Sequence, residues 1–313
     1  MKNLLSIEQL NAEEIEEIVA LGARMKSERG KASAAGARPL AGQTWAMIFT
    51  KASTRTRVSF EVGVRELGGD VFFLNPNDAQ LGRGEPIKDT ARVFGRIAHG
   101  AIIRTFSQGD VEEFAHYSGL PTINALTDEE HPCQVLSDLL TLQECAGGWA
   151  GKRVVFLGDG NNNMARSWMW AAERLRFDLV IAAPPDYQPS ERFLAALKSG
   201  CIRCEADPVA AVQGAHVLYT DVFVSMGQEA ESEDRWRNLK EYQINSELLA
   251  HALSGALVMH CLPAYRGKEI TEEVLEAHAG TIFQQAENRL HAQKAVMTLV
   301  AQLPRPWQRH SCR

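Results

Sequence analysis

Ser53, Thr54 and Thr56 bring three hydroxyls, and Arg55 and Arg57 two guanidiniums, to one junction between an apolar strand (45–49) and a helix reading on through Val58-Ser59-Phe60-Glu61-Val62. The first turn of a helix has backbone N–H groups without intrahelical partners, at the positive end of the macrodipole. Hydroxyls and arginines added there make an anion site, because the guanidinium fork matches phosphate oxygens or a polarised carbonyl. Ser53 or Thr54 would also serve as a helix cap, which accounts for one hydroxyl and not for the whole run. Arg57 stands four residues before Glu61, the spacing of a helical ion pair, and is read as structural. Two further places offer donors. Arg104, in Ile103-Arg104-Thr105, ends an apolar strand and is either a solvated guanidinium or an anion ligand. His131-Pro132-Cys133-Gln134 opens a helix, with proline in its first turn. His131 and Gln134 lie three apart on one face, so both can donate toward a single oxygen.

The later part of the chain carries a different set. Gly158-Asp159-Gly160-Asn161-Asn162-Asn163 lies between a strand and a helix, the place of a dinucleotide-binding turn. That fingerprint wants glycine at position 163 and an acidic residue at the next strand end. The chain has Asn163 and then Ala182-Ala183-Pro184-Pro185, so a nicotinamide cofactor is disfavoured. Asp221 follows the strand 216–220 and is a loop cap or a carboxylate for an ammonium group. Cys261, in Met259-His260-Cys261-Leu262-Pro263-Ala264, ends another strand, as core filler or as a thiol at a site. The charged stretch 229–237 reads as a solvated face. Cys201 and Cys204 have metal-pair spacing, yet no second pair or histidine cluster accompanies them, so no metal site is expected.

These motifs need strand ends to hold them, and the pattern supplies them. Strand-like segments at 44–50, 71–74, 101–106 and 122–126 alternate with helical ones at 54–67, 85–98 and 110–118. A long helix follows from His131 to the Gly147-Gly148 break. The alternation resumes with strands at 153–158, 178–183, 201–205, 216–221, 256–262 and 281–285. Such alternation predicts α/β architecture: two doubly wound parallel-sheet domains, 1–146 and 150–285, bridged by helices. An acidic amphipathic helix is expected over 7–25 and a last helix over 287–303. In open parallel sheets ligands sit beyond the carboxyl ends of the strands, where the polar motifs fall.

Composition narrows the function classes. The 313 residues suffice for two domains, 45% are hydrophobic, and the net charge is −6. That balance excludes a nucleic-acid surface, so any anion site must be local. No apolar run reaches the roughly 20 residues of a membrane span, and the N-terminus is not a signal segment, so a cytoplasmic protein is expected. Six scattered cysteines (Cys133, Cys145, Cys201, Cys204, Cys261, Cys312) fit a compartment where thiols stay reduced.

The run Phe49-Thr50-Lys51-Ala52-Ser53-Thr54-Arg55-Thr56-Arg57 resembles the carbamoyl phosphate signature of the aspartate/ornithine carbamoyltransferases. His-Pro-Cys-Gln, Ser225-Met226-Gly227 and His-Cys-Leu-Pro-Ala narrow the likeness to the ornithine branch, over nearly the whole chain. The resemblance implies carbamoyl transfer from carbamoyl phosphate to L-ornithine, giving L-citrulline and phosphate, with neither metal nor cofactor. It assigns carbamoyl phosphate to Ser53, Thr54, Arg55, Thr56, Arg104, His131, Gln134 and Arg289, and the carbamoyl NH2 group to the carbonyls of Cys261 and Leu262. Gln80, in the polar loop Gln80-Leu81-Gly82-Arg83-Gly84, would reach carbamoyl phosphate in a neighbouring protomer. That implies shared sites in a homotrimer or an assembly of trimers. Ornithine falls to Asn163, Asp221, Ser225 and Met226, with Asn162 left open as an alternative to Asn163. Arg55, Arg104, His131, Asp221 and Cys261 are the implied catalytic residues. Tyr265 departs from the family, many of whose members carry histidine there. A carbamoyltransferase for another amine and a non-catalytic binding relative are the rival readings.

Overall fold

The computed structural model describes residues 1–31, 38–75, 85–224 and 232–301; Gln80, Ser225 and Met226 lie outside the described residues. The chain divides into two compact units, Met1–Ser137 with Asn288–Arg313, and Asp138–Glu287.

In the first unit four parallel strands, β1 (Thr44–Phe49), β2 (Asp70–Leu74), β3 (Gly100–Arg104) and β4 (Thr122–Leu126), take the order β2-β1-β3-β4. Trp45, Ala46, Met47, Ile48 and Phe49 of β1 are all buried, the continuous apolar pattern of a strand covered on both faces. Gly100 is paired with Trp45 across the sheet, and a Cβ there would stand 2.6 Å from the indole ring. Chain order reverses between β1 and β3, the place where a doubly wound sheet opens a crevice. β1 leads into the helix Thr54–Glu66, capped by Ser53, which accepts the N–H of Thr56. Between Ile103 and Arg104 the β3–β4 register shifts, an irregularity that re-aims the last side chain of β3.

The second unit holds β5 (Arg153–Leu157), β6 (Asp178–Ala182), β7 (Ile202–Glu205), β8 (Val217–Thr220) and β9 (Leu257–His260), all parallel, in the order β7-β6-β5-β8-β9. Its reversal lies between β5 and β8. Val155, Leu157, Val180, Leu218 and Val258 form one side of its core with Val212, Ile244 and Val274. Two α/β units with parallel sheets are what the alternation predicted.

Three local expectations change. Residues 281–285 are helical, within Ala279–Ala301, so the last helix starts earlier than 287. Ile282 and Gln285 are fully buried while Phe283 is 55% exposed, a three-residue repeat in place of strand alternation. The first helix runs Ala12–Glu28, set by a capping box between Asn11 and Glu14. Arg235, expected on a solvated face, is buried. The division between units falls inside the helices Pro132–Ala146 and Ala279–Ala301, and the chain from Asn288 belongs with the first unit.

Candidate active site

At the β1–β3 reversal of the first unit, local structure gathers the predicted cations. Ser53 donates its hydroxyl to Thr56 Oγ1 at 2.8 Å, and Arg289 Nη2 bonds the same Thr56 oxygen. Arg289 thereby comes from the last helix to the first turn of the helix Thr54–Glu66. Thr54 and Arg55 are exposed at that turn, whereas Arg104, His131, Gln134 and Arg289 are buried. Burial, then Arg289, then Arg55 lower the pKa of the Arg104 guanidinium to about 10. Burial, with Arg289 and Arg104 behind it, holds the His131 imidazole well below its usual range. Arg55, Arg104, Arg289 and His131 therefore share one electrostatic neighbourhood. It is a cluster of like charge around a neutral histidine, and its Arg104 Nε is buried without a hydrogen-bond partner among the described residues. A dianion is the complement that would relieve it. Arg57 is separate: its Nε meets Glu61 at 3.0 Å and its guanidinium lies over Phe73, as the structural reading expected.

Pattern reading missed Lys51. Its ammonium is buried, pairs with Asp128 and lies 4.1 Å from the Phe106 ring centroid. Asp128 N–H donates to the Phe106 carbonyl at 2.8 Å and Thr50 N–H to the Arg104 carbonyl at 2.8 Å. The segments after β1, β3 and β4 are thus tied together. Cys133, between His131 and Gln134, is an inert thiol; burial pushes its pKa up to about 12.

In the second unit the β5 and β8 ends behave likewise. Asp159 Oδ1 accepts the N–H of Asn161 at 2.9 Å, and Asn162 Oδ1 caps the helix Asn163–Leu175 by accepting from Ala165 at 2.8 Å. The Asn162 oxygen is thus engaged by that capping N–H. Asp159 Oδ2 pairs with Arg235, whose Nε donates to the Phe223 carbonyl at 2.7 Å. This buried pair also escaped the pattern, since nothing in a charged stretch says which member turns inward.

Asp221 and Cys261 come together from β8 and β9. The thiol donates to Asp221 Oδ1 at 2.9 Å. Burial raises the Asp221 carboxyl pKa, and burial together with Asp221 raises that of the thiol well above its ordinary value. His260 Nδ1 accepts from Leu262 N–H at 2.8 Å, so its Nε2 carries the proton toward Glu269, 3.1 Å away. That grip holds Leu262 at φ 57°, in the left-handed region few side chains adopt. Such a backbone is retained where the carbonyl direction matters. Cys204 lies on β7 with Cys201 just before it, and among the described residues no group of three or more His, Cys, Asp or Glu is placed to hold a metal.

Comparison with known proteins agrees with this division of labour. The family model described as the carbamoyl-P binding domain of aspartate/ornithine carbamoyltransferase matches residues 2–144, and that of the Asp/Orn binding domain matches residues 150–300. An ornithine carbamoyltransferase of Akkermansia muciniphila is 60% identical, the match covering 96% of this chain and 98% of the relative. One from Synechococcus elongatus is 48% identical over 96% of this chain and 97% of the relative. Among solved structures, ornithine carbamoyltransferase from Pyrococcus furiosus superposes with a TM-score of 0.89 at 45% identity, covering 96% of each chain. The anabolic enzyme from Campylobacter jejuni gives 0.89 at 40%, covering 96% of this chain and 99% of that one.

Proposed function

This chain belongs to the aspartate/ornithine carbamoyltransferase family, and from that premise we propose how its residues divide the work of the reaction. The reaction is carbamoyl transfer from carbamoyl phosphate to the side-chain amine of L-ornithine, giving L-citrulline and phosphate. The observation that carries the assignment of the first half is the convergence of Arg55, Arg104 and Arg289 on the turn begun by Ser53. Ser53, Thr54, Arg55, Thr56, Arg104 and Arg289 take the phosphate. Arg55, Thr56 and His131 face the carbamoyl oxygen, with Gln134 as a further donor. A neutral His131 donates one N–H without adding a positive charge to the cluster.

Ornithine binds by its α-amino-acid end to Asn163, Asp221, Ser225 and Met226. Its side-chain amine, with an ordinary pKa of about 10.4, must shed a proton before it attacks. Burial favours the neutral amine, and the Asp221–Cys261 pair orients it. Attack on the carbamoyl carbon moves charge onto the oxygen, where the waiting donors gain strength, and phosphate leaves. The Cys261 and Leu262 carbonyls accept from the carbamoyl NH2 group. Catalysis on this route is positioning and electrostatic stabilisation, with no covalent enzyme intermediate. Gln80 completes the phosphate site of a neighbouring subunit, so the working assembly is a homotrimer or a multiple of it. We place the protein in the cytoplasm and in arginine biosynthesis. No helix among the described residues is long and apolar enough to cross a membrane.

The test is formation of ureido product from carbamoyl phosphate with L-ornithine, putrescine, N-acetylornithine and L-aspartate in parallel. Strong preference for L-ornithine is expected. Preference for another amine would overturn the assignment of Asn163, Asp221, Ser225 and Met226. A folded oligomer without turnover would support a binding protein.

A further inference from the structure

Beneath the Asp221–Cys261 pair lies a buried polar network that the reaction route above does not use. Tyr219 is fully buried, its ring stacked on Phe156 at 5.6 Å and edge-on to Trp168 at 5.1 Å. A phenol enclosed by aromatic rings needs a partner for its hydroxyl. Tyr219 donates to Asp138 Oδ2 at 2.9 Å, and Gln285 Nε2 donates to Asp138 Oδ1 at 2.8 Å. The Gln285 oxygen in turn accepts the backbone N–H of His260 at 2.9 Å. The chain of bonds thus returns to the residue before Cys261.

Strand pairing makes this more than a core network. Tyr219 is paired with Met259 across β8 and β9. Asp221 and Cys261 follow two positions later, each just past the end of its strand. Burial, then Asp138, raises the Tyr219 pKa well above its ordinary value, so the phenol keeps the proton of its hydrogen bond to Asp138. Of its staggered rotamers, the thiol takes one that points at Asp221 Oδ1. Asp138, Gln285 and Tyr219 are each fully buried, and burying such groups is unfavourable unless each one is satisfied. An apolar residue at 219 would fill the same space without that requirement.

We propose that Tyr219, with Asp138 and Gln285, is a positioning residue that holds the end of β9 through the His260 N–H, and so places the Cys261 thiol against Asp221 for the attacking amine. The inference rests on the reading of Asp221 and Cys261 as the amine end of the ornithine site.

Tyr219→Phe removes the hydroxyl and keeps the ring stack. Wild type is assayed first for citrulline formation, because its failure would overturn the reading on which the inference rests. With wild type active, Tyr219→Phe is expected to lose about tenfold or more in kcat with the KM for carbamoyl phosphate within twofold. The S–H stretching band assigned to Cys261 by its loss in Cys261→Ala should shift in the infrared spectrum of Tyr219→Phe. A lower melting temperature with kcat, both KM values and the S–H band unchanged would show a merely structural tyrosine and overturn the proposal. If Tyr219→Phe does not fold, Gln285→Glu, which alters the anchor from the far side of Asp138, must shift the same band. An unshifted band in that variant overturns the proposal as well.

Discussion

Arg104→Met should make the protein more stable and inactive at once. Arg104 is buried at the end of β3, its Nε lacks a hydrogen-bond partner among the described residues, and two other guanidiniums repel it. Lowering its pKa from the ordinary guanidinium range to about 10 disfavours the charged form by on the order of a few kcal/mol. For a base depressed in the native state, that penalty is complete at all pH values below about 10. It fades only as pH rises above about 10 toward the ordinary guanidinium range. Methionine has similar length, no charge and fits an apolar strand end. Ligand-free Arg104→Met should therefore gain about 1–3 kcal/mol, with about 2–4 °C in Tm for each kcal/mol. On the proposed role of Arg104 as a phosphate ligand, the same change should lower kcat/KM by about 10² or more. Calorimetry in phosphate-free buffer with and without inorganic phosphate reads both effects. Phosphate at about 100 times its Kd should stabilise wild type by about 2.7 kcal/mol and leave the variant nearly unmoved. A variant that melts below wild type in the absence of anions, and still gains stability with phosphate, would refute the like-charge argument.

Burial raises the Asp221 pKa, so ionised Asp221 weighs against folding at neutral pH, and the penalty disappears as pH falls through the carboxylate range. Asp221→Asn should accordingly raise the urea midpoint at pH near 7 and lose that advantage at about pH 4, while citrulline formation collapses. The Cys261 thiol, held protonated by burial and Asp221, should alkylate with iodoacetamide more slowly than Cys145 or Cys201, read by peptide mass spectrometry. At Gly95 an added Cβ would lie 2.4 Å from the Ser118 carbonyl oxygen. The helix-propensity gain of about 1 kcal/mol should lose to that clash, and Gly95→Ala should lower stability by about 1–3 kcal/mol in urea titrations. Tyr265 is 52% exposed, so Tyr265→His should leave kcat within about threefold, and a larger drop would give this position a role in the reaction.

The sequence was most readable where backbone chemistry and side-chain chemistry coincide. Ser53-Thr54-Arg55-Thr56 announces both a helix start and an anion, and the apolar run before it can only be a covered strand. It was least readable where the deciding contact is distant. Nothing near Arg235 tells that it meets Asp159, some seventy residues earlier, and its neighbours Asp234 and Arg237 do face solvent. Lys51 pairs with Asp128 across a comparable separation. Thr281-Ile282-Phe283 has the β-branched and aromatic character of a strand, and tertiary packing of Ile282 and Gln285 overrides it. The capping pair Asn11 and Glu14 was present in the sequence and would have set the first helix correctly.

The first unit is assembled from both ends of the chain, with Asp138–Glu287 as a continuous insert. On the ribosome that insert is complete, and can close its own sheet, before the segment beginning at Asn288 has been made. Met1–Ser137 must wait through that whole interval with its last helix missing. Arg289, which bonds Thr56, is synthesised only after that insert. A nascent chain stalled short of it has the strand ends and Arg55 but not the closed cluster. The cluster of Arg55, Arg104, Arg289 and His131 therefore closes only after the whole of Asp138–Glu287 has been made.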